Sequence, residues 1–354
     1  MELSKYVSLV YDQFRRAESS SLETATLSFR VADRFVVEVR FTSSRLLPRF
    51  RSAIAHLLCE PSDQPDLTIC VWGDAPAQFS PYSRWGTPNG NLFTDSNCFL
   101  NCESEGGRLM AVNWSNSVGL LWMRDFNQFA WWEDSRPFID ILHWWLRRKR
   151  FFFVHAAAVG TASGAALLVG KGGAGKSTTA LGCLENGLYY SGDDFCLIGK
   201  SDVPYVYGIY SSAKVETIDS LPEFRPSLSK KTRVKGEKEM LFLYPQFESQ
   251  IAERIPLSAI LIPQIANQVH TRVTPSSHHA AVKALLPSTT ELRGYDVDDF
   301  YGVFAVTRGV PAYTLELGSD RQQTVAVISE LLQRAATHKA PLPVAGLEVD
   351  LERI

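Results

Sequence analysis

The sequence predicts an α/β protein in two units, an N-terminal α+β unit over residues 1–150 and an α/β unit over residues 151–354. Three observations carry that reading. An apolar run, Ala165 to Val169, reads as a buried strand. It leads into Gly170, Lys171, Gly172, Gly173, Ala174, Gly175, Lys176 and Ser177, which fit the phosphate-loop pattern G-x-x-x-x-G-K-[ST]. The stretch that follows, Ser177 to Glu185, reads as a helix that Asn186-Gly187 would end. Composition also shifts near residue 150. All eight tryptophans lie at or before Trp145, whereas Lys5 and Lys149 are the only lysines among the first 150 residues.

In the first unit, Ala25 to Val31 and Phe35 to Thr42 alternate like strands joined by the turn Ala32-Asp33-Arg34. Leu46, Phe50, Ile54 and Leu57 give residues 43–58 a helical spacing. Asp66 to Trp72 reads as a strand and Gly73 to Asn91, rich in Pro and Gly, as a loop. Cys98 to Glu103, Arg108 to Trp114 and Val118 to Arg124 read as an antiparallel meander. Ser135 and Pro137 open a helix that runs to about Arg150. Its end, Arg147-Arg-Lys-Arg150, reads as charge favourable at a helix C-terminus rather than as a membrane or nucleic-acid patch. Its Trp-rich face reads as core.

In the second unit, Phe151 to Val159 is expected as one strand, a hairpin neighbour of the phosphate-loop strand across the turn Thr161 to Gly164. After the loop helix come Leu188 to Asp194 and strands at Phe195 to Ile198 and Val203 to Ser211. Further strands are expected at Met240 to Tyr244, Ile255 to Ile262, Val269 to Val273 and Tyr313 to Leu317. Helices are expected at Ser276 to Leu285, Asp296 to Val306 and Asp320 to Thr337.

Bulk properties narrow the function. A length of 354 residues suits two domains and a sizeable core. A hydrophobic share of 45% with 21% charged residues is that of a globular protein. The net charge of −2 does not favour a nucleic-acid partner. No apolar run approaches the ~18 residues of a membrane span, and the N-terminus lacks the basic and apolar regions of a signal peptide. The six cysteines are scattered with no C-x-x-C pair, which suits free thiols and a cytoplasmic location. Cys98-x3-Cys102 has no matching His/Cys pair downstream, which argues against zinc.

The loop itself says nucleotide phosphates. Glycines let backbone N–H groups turn inward around an anion, and the helix N-terminus adds its positive dipole end. Lys176 would reach the β- and γ-phosphates, the Ser177 hydroxyl would take a Mg²⁺ site, and Thr178 follows on the helix. Next comes Asp193-Asp194, at the end of a short strand and so at the carboxyl edge of the sheet, where ligands bind. One acid can accept a proton from an attacking hydroxyl and the other can hold Mg²⁺, directly or through water; the plainer alternative is a turn of solvated acids. His155 interrupts an apolar strand. It reads either as a satisfied core histidine or as a group that tunes charge near the acids. Residues 225–239 hold Arg225, Lys230, Lys231, Arg233, Lys235 and Lys238. They read either as a phosphate lid, with Arg233 or Lys238 as a clamp, or as a solvated loop. Arg308 is a weaker clamp candidate.

His155, Gly170 to Ser177 and Asp193-Asp194 together resemble the catalytic core of bacterial HPr serine kinase/phosphorylase and its kinase-like homologues in peptide-modification gene clusters. The spacings are 15 residues from His155 to Gly170 and 17 from Lys176 to Asp193. The resemblance covers about residues 151–200. It implies a P-loop fold of the HPr kinase/PEP carboxykinase-like kind, with Gly170 to Ser177 on the phosphates of ATP and Ser177 on Mg²⁺. It also implies Asp193 as the base for a serine-type hydroxyl, Asp194 as the metal-side partner and His155 near the reacting phosphate. A homo-oligomer, such as a hexamer, is implied as well. The family's second signature, E-[VIL]-R-G-[LI]-G, is absent; Gly208 to Lys214 stands in a comparable place, with Lys214 a candidate for its cationic role. The expected activity is ATP- and Mg²⁺-dependent transfer to a hydroxyl of a peptide, small protein or metabolite, with the first unit recognising substrate or a partner. The alternative is an ATP-sensing regulatory module without transfer. A transport or motor ATPase fits less well, because there is no L-S-G-G-Q stretch and no distant second acid.

Overall fold

The computed structural model describes residues 2–73, 92–103, 107–229 and 237–337. The chain is a mixed α/β protein with several sheets. It divides into two compact units, Met1–Lys149 and Arg150–Ile354.

The first unit opens with α1 (Leu3–Ser20), a helix to which the sequence reading assigns no element. Leu3, Tyr6, Val7, Val10 and Phe14 form its buried face and share a core with Cys70, Trp72, Leu100 and Leu120. Strands β1 (Ala25–Val31) and β2 (Phe35–Phe41) pair as a hairpin. Residues 43–58 are not one helix. A single α-helical turn and a half, α2 (Leu47–Arg51), has Pro48 in its first turn and is flanked by 3-10 turns at Ser44–Leu46 and Ser52–Leu57. Apolar spacings of three and four are met by 3-10 turns too, and Ala53, Ile54 and Leu57 are buried that way.

Strands β3 (Leu67–Gly73), β4 (Leu92–Thr94), β5 (Cys98–Cys102), β6 (Arg108–Asn113) and β7 (Val118–Met123) complete a seven-stranded sheet. Its order is β1-β2-β3-β7-β6-β5-β4. Most of the expected loop after Gly73 lies outside the described residues. Helix α3 (Ile139–Arg147) buries Trp144 and Trp145. Its basic end lies on tryptophan faces, with Arg148 3.6 Å from the Trp114 ring centre and Lys149 4.5 Å from that of Trp145.

The second unit begins with β8 (Phe151–Val154), β9 (Ala156–Thr161) and β10 (Gly164–Val169). The expected single strand over 151–159 is therefore broken, and the break falls at His155. The two halves serve different neighbours: β9 pairs with β10, while β8 pairs with a later strand, β12 (Cys196–Lys200). After β10 comes α4 (Lys176–Glu185), then β11 (Tyr189–Gly192) ahead of β12. Strands β13 (Pro204–Tyr207), β14 (Ser212–Val215), β15 (Glu239–Phe242), β16 (Arg254–Ile265) and β17 (Arg272–Ser276) follow. The chain then runs through α5 (His278–Thr289), α6 (Val297–Thr307), β18 (Ala312–Leu317) and α7 (Arg321–Thr337). Strand β17 starts later than the expected Val269. Residues 268 and 269 instead accept hydrogen bonds from Ser319 and Asp320, at the turn between β18 and α7.

The main sheet has nine strands in the order β11-β9-β10-β16-β13-β12-β8, with β18 and β17 branching from β16; β14 and β15 form a separate pair. The long β16 makes this possible, since its first residues pair with β13 and its last with β18. The strand interior is apolar on both faces. Ala166 and Leu168 share a core with Leu181 and Leu184 of α4 and Ile328 and Leu331 of α7. Ala165, Leu167 and Val169 share another with Leu285 of α5 and Val303 and Val306 of α6. A continuous apolar run is what a strand covered on both sides requires. Strands β10, β16 and β18 run parallel. Strand β11 runs the same way, because both β10 and β11 are antiparallel to β9. The C-terminal ends of all four therefore meet one edge of the sheet.

Candidate functional site

That edge carries the glycine-rich loop. Gly170, Gly173 and Gly175 have φ of 152°, 79° and 96°, a backbone region that a side chain strongly disfavours. Gly175 ends the loop as the N-terminal cap of α4, and a Cβ there would lie 2.6 Å from Leu317 Cδ1. Lys171, Gly172, Gly173 and Thr178 are exposed, Ala174 and Ser177 are partly exposed, and Lys176 is buried. The Lys176 ammonium folds back over the loop and donates to the carbonyls of Gly170 at 2.6 Å and Lys171 at 3.2 Å. Burial lowers its pKa, against the attraction of Asp193 and Asp194.

The two acids stand just past the end of β11. Ser177 Oγ donates to Asp193 Oδ1 at 2.9 Å. Asp193 is 3% exposed, and its Oδ2 has no hydrogen-bond partner among the described residues. Burial, reinforced by the charge of Asp194, raises the Asp193 pKa despite the Ser177 bond. Asp194 differs in every respect. It takes a left-handed conformation, φ 67°, uncommon for a residue other than glycine, and its side chain is 23% exposed. Lys214 Nζ donates to Asp194 Oδ2 at 2.7 Å. His155 Nδ1 lies 3.8 Å from Asp194 Oδ1.

Contacts therefore give the two acids different surroundings. Asp193 is the one against the Ser177 hydroxyl, and Asp194 is the partly exposed one beside His155 and Lys214. Adjacent residues part here because Asp193 follows the strand direction while the left-handed turn at Asp194 swings the second side chain away.

Supporting residues fix these positions. The His155 amide donates to Thr289 Oγ1 at 2.9 Å, so the group that leaves the strand ladder at the β8–β9 break is satisfied from α5. The Phe195 ring packs edge-on against the imidazole, with ring centres 5.2 Å apart. The buried Tyr190 hydroxyl donates to the Ser212 carbonyl at 2.6 Å, which ties β11 to β14 and so brings Lys214 to the acids. Sequence reasoning singled out neither Thr289 nor Tyr190; a tyrosine inside an apolar strand was the available signal for the second.

No protein-family model matches the chain, and no curated protein matches it.

Other candidates lie apart from this cluster or beyond view. Lys238 is paired with Glu216 at 3.2 Å and is close enough to depress the Lys176 pKa. Arg225 pairs with Asp219 at 3.2 Å on the surface. Lys230, Lys231, Arg233 and Lys235 lie outside the described residues. Arg308 caps the C-terminus of α6, and burial, followed by the charge of Arg308, lowers the His278 pKa. Among the described residues no group of three or more His, Cys, Asp or Glu could hold a metal ion, and no helix is long and apolar enough to cross a membrane. Mg²⁺ keeps several waters and takes few protein ligands. A hydroxyl on a carboxylate with one orphaned oxygen is an oxygen donor set that fits it.

The arrangement can bind an anion on the loop, hold a hard cation between the loop hydroxyl and Asp193, and present a carboxylate, Asp194, to an incoming group.

Proposed function

We propose that the second unit is a P-loop domain that binds ATP with Mg²⁺ and transfers the γ-phosphoryl group to a hydroxyl of a peptide, small protein or metabolite. The observation that supports this most is the split environment of the acid pair at the end of β11. One acid is buried on the loop hydroxyl, and its neighbour is partly exposed beside a cation and a histidine. An ATP-binding module needs the first acid alone; a partly exposed second carboxylate next to the phosphate loop suits proton removal from an acceptor.

The residues would divide the work as follows. The loop glycines cradle the phosphates, and Lys176 leaves the Gly170 and Lys171 carbonyls to meet them. Ser177 and Asp193 hold Mg²⁺, which when bound neutralises charge on the β- and γ-phosphates. Asp194 accepts the acceptor hydroxyl's proton as its oxygen attacks the γ-phosphorus and the β–γ bridge breaks. Lys214 orients Asp194 through one oxygen, and His155 lies 3.8 Å from the other. Positioning and charge neutralisation supply most of the rate.

The test is titration of the full chain with ATP and MgCl₂ by calorimetry, followed by assay of γ-phosphate transfer to candidate acceptors and of slow hydrolysis. Asp194→Asn should bind ATP like the parent and lose transfer and hydrolysis. Nucleotide binding without transfer or hydrolysis in the parent would favour a regulatory ATP-sensing module. No binding at all would sink the nucleotide reading.

A further inference from the structure

Beside the phosphate loop, on the side away from the acids, a cleft of about 350 Å³ opens along α4. Its floor is the helix face of Gly175, Thr178 and Gly182. Its far wall is formed where β16 and β18 end and α7 begins, by Ile265, Leu317 and Arg321. We infer that this cleft binds the nucleoside part of the nucleotide, with the base against Ile265 and Leu317 and under the Arg321 side chain. The inference rests on the phosphate-loop reading above.

Topology gives the first reason. The acids follow β11, which lies on one side of β10 across β9; β16 and β18 lie on the other. A polyphosphate seated on the loop with its terminal phosphate at Asp193 and Asp194 must send its other end toward β16 and β18. Gly175, which ends the loop, and Thr178 in the first turn of α4 both line the cleft, so the two spaces are continuous.

Size and surface agree. Seven residues of helix separate Gly175 from Gly182, ~10 Å of length at 1.5 Å per residue, which is the reach of a nucleoside. The volume of about 350 Å³ is at the lower end for small-molecule sites. Ile265 is 73% exposed, a large apolar side chain left in solvent at the end of a strand whose interior is buried. A planar base would cover it. An apolar wall that also carries a guanidinium suits a flat, electron-rich heterocycle.

Gly182 supplies the probe. It sits inside α4, where glycine weakens a helix, yet a Cβ built there meets nothing within 4 Å. A side chain at this position would stand in the cleft without straining the backbone.

The experiment compares ATP and inorganic tripolyphosphate, each with MgCl₂, binding to the parent, Gly182→Leu, Gly182→Ala and Ile265→Ala by titration calorimetry. Gly182→Leu should weaken ATP at least about tenfold, as an ill-fitting hydrophobic pocket does, and leave tripolyphosphate unchanged. Ile265→Ala should weaken ATP by a smaller factor, and Gly182→Ala should report that the helix tolerates a side chain. Unaltered ATP affinity in Gly182→Leu and Ile265→Ala, with tripolyphosphate still bound, would overturn the cleft and leave the phosphate site standing. Failure of the parent to bind either compound would overturn both.

Discussion

Replacing the buried Asp193 by asparagine is expected to stabilise the protein while damaging its site. The carboxylate is 3% exposed, one oxygen is satisfied by Ser177 and the other is an orphan. Burial, then Asp194, raises its pKa, so the folded state holds the charged form at a cost. The sign follows from proton linkage. Between the unfolded carboxylate's pKa, ~3.9, and the raised folded value, the folded state binds more protons than the unfolded one. Stability therefore falls as pH climbs through that window and is level above it. Asparagine has the same shape and can still accept from Ser177, and it carries no charge to desolvate. The gain at neutral pH is set at about 1 kcal/mol, typical of relieving an active-site polar cost, and part of it is lost because Lys176 gives up an attractive neighbour. For a unit of this size that gain is ~2–4 °C in Tm. Thermal melts of the full chain and Asp193→Asn from acid to neutral pH should show a difference that is small at low pH, grows with pH and then levels. A lower Tm for Asp193→Asn at neutral pH, or a difference that ignores pH, would show that the buried charge is not the cost assigned to it.

Further outcomes are expected. Lys176→Ala removes the ammonium folded over the loop carbonyls and should weaken ATP binding ~10–100-fold, from ~1.5–3 kcal/mol per charge-assisted hydrogen bond, as titration calorimetry would register. Gly175→Ala meets both a φ of 96° and the Leu317 side chain; it should cost ~1–3 kcal/mol in a denaturant melt and also impair phosphate binding. Thr289→Val leaves the buried His155 amide without its acceptor, so unfolding free energy should fall by ~1–3 kcal/mol, with Thr289→Ser restoring most of it. Lys214→Met should depress transfer more than ATP binding if its partner Asp194 takes the acceptor's proton as proposed; equal losses in kcat and in nucleotide affinity would contradict that role.

Much of the second unit was legible because its elements announce themselves locally. The apolar run before Gly170 and the glycine-rich turn after it fix strand, loop and helix within about twenty residues. Local signals failed where two partners compete for one stretch. Phe151 to Val159 is continuously apolar, and nothing in that run says that Phe151–Val154 belongs to β12 while Ala156–Thr161 belongs to β10. The break depends on Thr289, 134 residues away. Helix α1 shows the opposite kind of failure. Its buried residues follow a clear helical spacing, but Glu2 makes no side-chain cap and no glycine ends it, so the customary start and stop signals are missing.

The acids give the sharpest lesson about roles. Two adjacent aspartates at a strand end imply a division of labour, because neighbouring side chains diverge. Which takes which part is decided by backbone conformation, and the left-handed turn at Asp194 is invisible in the residue type. Once that turn is known, burial separates their surroundings. The acid that continues the strand is carried under the loop helix to Ser177, and the acid that turns left is carried out toward Lys214 and solvent. A residue forced into an uncommon conformation costs free energy that the surrounding structure must supply. Here the supply is visible, since the Tyr190–Ser212 bond holds β14 where Lys214 can reach Asp194. If that conformation exists to present the carboxylate, Asp194→Gly should relieve the strain and stabilise the fold while abolishing transfer. An active Asp194→Gly would remove the carboxylate from the mechanism.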